Sequence, residues 1–161
     1  ADGKFNYLGG ISIGGGTLQG LSKHLINNVN NEDIQELAIT GNRNELDYLI
    51  GDIANEIGSL NSKITASNFG KAKNLDSLSS SDVAASITNM IGEVIGTVAY
   101  LNAMLCGENK VYFLGRVSLN SNIKSAIEDR LKLANITGIF EDKREYANVL
   151  GALVYLKDKI T

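Results

Sequence analysis

The stretch GGISIGGGT at residues 9–17 places five glycines in nine positions and ends on a threonine. Glycine at this density lowers stability unless the main chain must turn sharply or approach another group closely. Backbone N–H groups of such a loop bind phosphate when a helix follows, because they meet the positive end of the helix dipole. Gly14, Gly15 and Gly16 would supply the loop and Thr17 would begin the helix. The stretch fits neither the P-loop nor the dinucleotide fingerprint, so a plain turn is the alternative.

Composition indicates one globular domain with an acidic balance. The chain has 161 residues, of which 43% are hydrophobic and 20% are charged, and its net charge is −3. This charge argues against binding to nucleic acid or acidic lipid, since both attract positive proteins. Apolar runs are interrupted well short of the ~20 residues that a membrane span needs. The single cysteine, Cys106, fits a reducing compartment, so we expect a cytoplasmic protein that binds neither nucleic acid nor membrane.

Hydrophobic periodicity predicts strands that alternate with helices, which is typical of the α/β class. Strands are predicted at residues 4–8, 110–114 and 136–140, with residues 11–13 continuing the first. Helices are predicted at residues 17–27, 33–39, 45–57, 82–105, 121–133 and 145–159. The segment 64–73 is predicted to be a loop. Ser81 is a suitable N-cap for the helix at 82–105, which is the longest.

Five blocks of the sequence carry a wider resemblance. They are GGISIGGGTLQGL at 9–21, ELAITGNRNELDYLIGDI at 36–53, ITASNFGK at 64–71, KVYFLG at 110–115 and NVLGALVYL at 148–156. In this order and spacing they resemble the conserved segments of type II pantothenate kinases, from the GGGT signature to the C-terminal helix. Because the blocks extend over nearly the whole chain, the set is far more specific than any one of them.

The resemblance implies a ribonuclease-H-like lobe of the actin-like ATPase fold, with a central mixed sheet flanked by helices and one long helix at 82–105. Residues 1–161 would form the C-terminal, nucleotide-binding lobe. The first phosphate loop and the glutamate that acts as general base belong to an N-terminal lobe that this sequence lacks. The chain alone should then be inactive, because phosphoryl transfer depends on positioning by both walls of the cleft. The implied ligands are ATP, Mg²⁺ bound through the nucleotide, and pantothenate.

Site residues follow from the resemblance position by position. Those implied to bind the nucleotide are Gly14, Gly15, Gly16, Thr17, Phe69, Gly70, Gly115 and Arg116. Thr65 matches a family threonine that contacts pantothenate across a dimer. Tyr7 and Arg130 fall at or near substrate positions where bacterial members have an arginine and a tyrosine, and tyrosine lacks the charged fork of a guanidinium. No residue receives a catalytic or metal-binding role, and Asp47 and Asp52 recur in the family block without a role.

The implied homodimer packs along the long helix. Gly92 and Gly96 lie one turn apart on it, and with Ala84, Ala85 and Ala99 they would leave room for a close backbone approach. A close helix crossing inside the lobe is the alternative use of the two glycines.

Three functions remain open from the sequence. The first is the C-terminal lobe of an ATP-dependent kinase that phosphorylates pantothenate in coenzyme A biosynthesis. The second is a non-catalytic member that keeps nucleotide binding or dimerisation and senses a ligand, with which Tyr7 and Arg130 are consistent. The third, related to it, is a kinase for another small hydroxylated substrate.

Overall fold

Six α-helices and four short strands make up the computed structural model, which describes residues 6–27, 30–54 and 61–160. The helices are α1 (Gly15–Ile26), α2 (Asn31–Thr40), α3 (Ile50–Ile53), α4 (Ser80–Cys106), α5 (Ser121–Lys132) and α6 (Ala147–Ile160). The strands are β1 (Tyr48–Leu49), β2 (Thr65–Ser67), β3 (Lys110–Tyr112) and β4 (Thr137–Ile139). Short 3₁₀ turns cover Arg43–Glu45, Ala72–Asn74, Val117–Leu119 and Arg144–Tyr146. The α/β class and the single long helix are thereby confirmed.

The strands form two separate pairs. β1 and β2 are antiparallel, whereas β3 and β4 are parallel with Lys110 opposite Thr137 and Tyr112 opposite Ile139. The prediction of one central mixed sheet is therefore wrong for the described residues, because neither pair continues into the other. The assignment to an actin-like ATPase lobe stays a prediction.

Helix α4 is the centre of the core. It contacts α1, α2, α5 and β3, and Ile87 and Ile91 on it are fully buried. The other fully or almost fully buried apolar residues are Leu18, Ile34, Leu46, Val83, Ala84, Ile123, Ile127 and Leu131. By length and composition α4 could cross a membrane, yet 56% of its apolar window is buried inside the fold. That burial is typical of the core helix of a globular domain.

Gly92 and Gly96 permit a close crossing of α4 and α5. A Cβ atom on Gly92 would lie 2.6 Å from both Cβ of Ala126 and the carbonyl oxygen of Ile123. On Gly96 it would lie 2.8 Å from Cβ of Arg130. The two glycines are thus used inside the chain, and Ala84 and Ala85 are buried as well. The small residues that suggested a dimer along this helix are therefore occupied by internal packing.

Most of the predicted helices are confirmed to within a few residues, with corrections at their ends. Helix α4 begins at Ser80 with Ser79 in the N-cap position, so the prediction of Ser81 as the cap is wrong. Residues 6–8 and 11–13 are not strands, and residues 4 and 5 of the first predicted strand lie outside the described residues. These segments have no strand beside them among the described residues that would supply ladder hydrogen bonds.

The helix predicted at 45–57 is confirmed only for Ile50–Ile53 and is wrong for residues 45–49 and 54, while positions 55–57 lie outside the described residues. Tyr48 and Leu49 pair with β2 instead, and only the four residues of α3 are helical. Asp52 accepts a hydrogen bond from the Leu49 amide at 2.9 Å and pairs with Lys71 at 2.8 Å. Contacts with a segment distant in sequence thus override the helical spacing of the apolar residues. The same pairing places β2 in the segment predicted to be a loop.

Asp47 holds the turn that follows β2. Its side chain is fully buried, and Oδ1 accepts the Phe69 amide at 2.8 Å. Arg43 approaches Oδ2 at 3.8 Å, beyond hydrogen-bond range, and Oδ2 has no hydrogen-bond partner. Burial, with a smaller contribution from Glu93, raises the pKa of Asp47 against the lowering effects of the Phe69 amide, the Ser86 hydroxyl and Arg43. The two aspartates that the sequence left without a role therefore organise the segment between α2 and α4.

Replacing Gly92 with alanine tests the α4–α5 crossing. We expect the free energy of unfolding to fall by about 1–3 kcal/mol, because the new methyl group overpacks against Ala126 and the Ile123 carbonyl. Gly20→Ala is the matched control, since a Cβ atom there meets nothing within 4 Å and helix propensity favours alanine by about 1 kcal/mol. Urea unfolding measures both variants. Equal stabilisation by the two changes would contradict the close crossing.

The two aspartates should contribute opposite pH dependences. Above the ordinary aspartate pKa of 3.8, native Asp47 still holds a proton that the unfolded chain has lost, so stability falls as pH rises through that window. The Leu49 amide and Lys71 lower the pKa of Asp52, so its contribution to stability is complete above 3.8 and is lost as pH falls through the lowered value. Relative to wild type, we expect Asp47→Asn to gain stability with rising pH and Asp52→Asn to lose it. Denaturant titrations across the acidic range measure this, and parallel curves for the variants would contradict it.

Candidate functional site

A cavity of about 310 Å³ opens at the N-terminal end of α1, and we call it the α1 cavity. Its walls come from α1, α2 and the segment after β3. The lining residues that matter here are Gly15, Leu18, Gln35, Arg116, Val117 and Asn120. A Cβ atom on Gly15 would lie 3.4 Å from Cγ2 of Val117, so the two walls are in van der Waals range. The structure therefore brings the glycine loop and the segment after β3 to one place.

The glycine loop leads directly into α1. Gly14 stands in the N-cap position with extended backbone, and its N–H donates to Oγ1 of Thr17 at 3.3 Å. The Thr17 hydroxyl donates in turn to the Ser12 carbonyl at 3.4 Å. The first amides of a helix have no acceptor within it, and a Cβ atom on Gly14 or Gly16 would meet nothing within 4 Å. The glycines thus leave the positive end of α1 open to approach.

Gly115 and Arg116 form the turn on the opposite side of the cavity. Gly115 has φ +92°, a conformation that glycine adopts without strain. Its amide donates to the Arg144 carbonyl at 2.9 Å. Arg116 lines the cavity and is exposed to solvent. Of the eight residues predicted to bind a nucleotide, Gly15 and Arg116 line the α1 cavity, and Gly14, Gly16, Thr17 and Gly115 lie within two positions of them in the chain.

Asn120 and Gln35 are cavity residues that the sequence reasoning missed. Oδ1 of Asn120 accepts the amides of Asn122 and Ile123, both at 3.1 Å, and so caps α5. Oε1 of Gln35 accepts the Ser121 amide at 2.7 Å. Because backbone donors fix both carboxamide oxygens, each NH₂ group is left as a donor, and Nδ2 of Asn120 is buried without a partner. The N-cap preference of asparagine before SNI was the available sequence signal.

The α1 cavity therefore combines apolar side chains, those of Leu18, Val117 and Leu119, with polar groups that are mainly hydrogen-bond donors. The amides of α1, two carboxamide NH₂ groups and the guanidinium of Arg116 all suit a ligand rich in acceptor atoms, such as a phosphate ester or a purine. Glu32 is the acidic residue on the lining. The described residues contain no group of three acidic, histidine or cysteine side chains that could hold a metal ion.

Thr65 and Arg130 meet at a second site, on Glu93 of α4. Oε1 of Glu93 accepts the Thr65 hydroxyl at 2.8 Å and pairs with Nη2 of Arg130 at 2.8 Å. Arg43 donates to Oγ1 of Thr65 at 2.8 Å, and Asn89 lies 3.4 Å from the same oxygen. Glu93 is only 9% exposed, so its charge depends on these donors. A cavity of about 370 Å³ lies beside this cluster, and we call it the Glu93 cavity.

The remaining predicted site residues lie apart from these cavities. Tyr7 is 88% exposed and lines neither of them. Phe69 occupies a left-handed conformation in the turn after β2, and its side chain packs against the core. A Cβ atom on Gly70 would meet Tyr48 at 2.5 Å, so this glycine serves close packing. The structure does not bring Phe69 and Gly70 to the α1 cavity.

Comparison with known proteins identifies the family. The Fumble family matches residues 1–153. The chain is 37% identical over 154 residues to a type II pantothenate kinase of Bacillus anthracis, a match that covers 94% of the chain and 56% of the relative. It is 41% identical over 123 residues to pantothenate kinase 1 of Arabidopsis thaliana, covering 71% of the chain and 32% of that relative. The chain spans about half the length of its bacterial relatives, and it belongs to the Fumble family, the family of type II pantothenate kinases.

Proposed function

We propose that this chain is the nucleotide-binding C-terminal lobe of a pantothenate kinase and that ATP binds in the α1 cavity. The observation that carries this proposal is the meeting of Gly15 with Arg116 and Asn120 around one donor-lined space. Phosphate oxygens and purine nitrogens are the acceptors that such a lining would bind. The names of the matched relatives support the reaction class, because all are pantothenate kinases.

Each wall of the cavity has its own part in holding the nucleotide. The amides of Gly15 and Gly16 at the start of α1 would face the phosphates, where the helix dipole favours negative charge. Gly115 and Arg116 would lie against the adenosine. Mg²⁺ would be held through the phosphate oxygens of the nucleotide, because the described lining offers it a single carboxylate, that of Glu32.

Phosphoryl transfer to the hydroxyl of pantothenate, in coenzyme A biosynthesis, would be the reaction of the whole kinase in the cytoplasm. The chain covers 56% of its Bacillus anthracis relative, and we propose that the general base lies in the remaining part. The described cavity residues would bind and orient a nucleotide. Apart from the exposed Glu32, however, the described residues of the α1 cavity include no general base that could take the proton of the pantothenate hydroxyl. The chain by itself should therefore be inactive.

A second candidate is a kinase for another small hydroxylated molecule, or a sensor without activity. The Arg130–Glu93 ion pair favours it, because it ties the Arg130 guanidinium to the protein at a substrate position implied by the resemblance. Thr65 is likewise engaged by Arg43 and Glu93. A coupled ADP-release assay of the whole kinase separates the candidates, since only a pantothenate kinase releases ADP faster with pantothenate than without it.

Replacing Gly15 with valine tests ATP binding at the α1 cavity. The branched side chain would extend toward Val117 and into the space that the phosphates need. If two charge-assisted hydrogen bonds are lost, affinity for a non-hydrolysable ATP analogue should fall by about two decades, or roughly 3 kcal/mol. Calorimetric titration of the whole kinase with this analogue measures the change in affinity.

Gly20→Val is the matched control for that experiment. It places the same β-branched residue within α1, at a position where a Cβ atom meets nothing within 4 Å. The control should bind the nucleotide as wild type does, and it should not lower helix stability, because valine has a slightly higher helix propensity than glycine. Unchanged affinity in a folded Gly15→Val variant would mean that the glycine serves only the turn.

We also propose that the protein is a homodimer, with the exposed C-terminal end of α4 at the interface. Leu101, Met104 and Leu105 are 48%, 60% and 83% exposed there. Leu105→Glu should shift sedimentation at micromolar concentration toward the monomer, because the carboxylate would be desolvated in the interface. Leu25→Glu, on an equally apolar but separate position of α1, should leave the dimer intact. A wild-type protein that sediments only as a monomer would contradict the proposed homodimer.

A further inference from the structure

We infer that Arg144 is a positioning residue for the nucleotide site, holding the wall of the α1 cavity that follows β3. This inference rests on the proposed function of that cavity. Arg144 belongs to the 3₁₀ turn after β4 (Arg144–Tyr146). It does not line the cavity itself, so any effect on a ligand must pass through the residues that it binds.

The segment that Arg144 contacts is weak on its own. The residues 116–120 supply Arg116, Val117, Leu119 and Asn120 to the cavity lining, yet their regular structure is one 3₁₀ turn (Val117–Leu119). Such turns have poorer hydrogen-bond geometry than α-helices and contribute little stability alone. Strand β3 ends at Tyr112, three residues before the turn at Gly115. Side-chain contacts must therefore set the position of this wall.

Arg144 supplies those contacts with a planar fork. Its Nε donates to Oγ of Ser118 at 3.0 Å, and Nη2 donates to the Ser118 carbonyl at 2.9 Å. Nη1 donates to the Glu141 carbonyl at 3.2 Å, which fixes the guanidinium to its own loop. The Arg144 carbonyl also accepts the Gly115 amide at 2.9 Å. One residue thus binds both ends of the turn, at Gly115 and at Ser118.

One aromatic ring lies against the same guanidinium, and a second ring stacks on the first. Its Cζ atom lies 5.9 Å from the ring centroid of Phe140, and that ring stacks on Phe113 with centroids 4.8 Å apart. Phe113 directly follows β3, and its amide donates to the Ile139 carbonyl at 2.9 Å. Arg144 is therefore held against the parallel strand pair. Its hydrogen bonds to Ser118 in turn hold the cavity wall in place relative to these strands.

Geometry of this kind distinguishes arginine from lysine. A lysine keeps the positive charge but cannot make two parallel, coplanar hydrogen bonds to one residue. Arg144→Lys therefore separates positioning from long-range attraction of the phosphates. Lys124→Met is the matched control, because Nζ of Lys124 lies 5.1 Å from the same Phe140 ring, and no hydrogen bond of its side chain to Ser118 is present among the described residues.

The experiment uses the whole kinase, because the chain by itself should be inactive, and measures its affinity for a non-hydrolysable ATP analogue and its KM values for ATP and for pantothenate. We expect Arg144→Lys to weaken nucleotide binding and raise the KM for ATP roughly tenfold, as the loss of a hydrogen bond to a charged group does. The KM for pantothenate should stay within about twofold. Lys124→Met should bind the nucleotide as wild type does.

Ser118→Ala provides a milder variant that keeps the carbonyl bond and should fold normally. It should weaken nucleotide binding less than Arg144→Lys, and the double variant should show less than the sum of the two effects. Wild-type nucleotide affinity in both folded single variants would overturn the role of Arg144. A wild-type protein that binds no nucleotide would instead overturn the proposed function, and the inference with it. A fall in melting temperature without a change in nucleotide affinity would show a merely structural role.

Discussion

The close crossing of α4 and α5 is the contact on which both candidate sites depend. Gly92 and Gly96 present bare backbone to α5, which brings the two helix axes nearer than side chains would allow. The first turn of α5 then stands at the α1 cavity through Asn120, and its last turn carries Arg130 to Glu93. A shift of α5 along α4 would disturb both sites at once.

Helix capping also orients the chemistry of the α1 cavity. A carboxamide can present either its oxygen or its NH₂ group to a ligand, and the choice is usually open. Here the first amides of α5 take the oxygens of Asn120 and Gln35, so only the NH₂ groups remain available. The same hydrogen bonds that begin a helix therefore give the cavity its preference for acceptor-rich ligands.

Hydrogen-bonded carboxylates, rather than a continuous sheet, hold the segment between α2 and α4. β1 and β2 together have five residues, too few for a stable sheet of their own. Asp47, Asp52 and Glu93 each accept hydrogen bonds that cross between distant parts of the chain. Burying Asp47 raises its pKa and so costs stability at neutral pH, which the turn at Phe69 offsets through its amide.

The sequence by itself determined the family, the α/β class and most of the helices. The five blocks led to type II pantothenate kinases, and the match over residues 1–153 confirmed that family. Helical periodicity located α4 and α5 because an amphipathic pattern is a local property of the chain. The glycine loop before α1 was likewise visible, since helix starts and glycine clusters are local signals.

Only the tertiary structure decided how these parts combine. It assigned Gly92 and Gly96 to an internal crossing, placed Thr65 and Arg130 on the same glutamate, and turned residues 48 and 49 into a strand. Each of these outcomes depends on partners 15 or more positions away in the sequence, which no local pattern encodes. Arg144 was missed for the same reason, since its side chain gains a role only when loops distant in sequence meet at one cavity wall. Asn120 carried a local signal as a helix cap, but its place on that wall was not encoded locally.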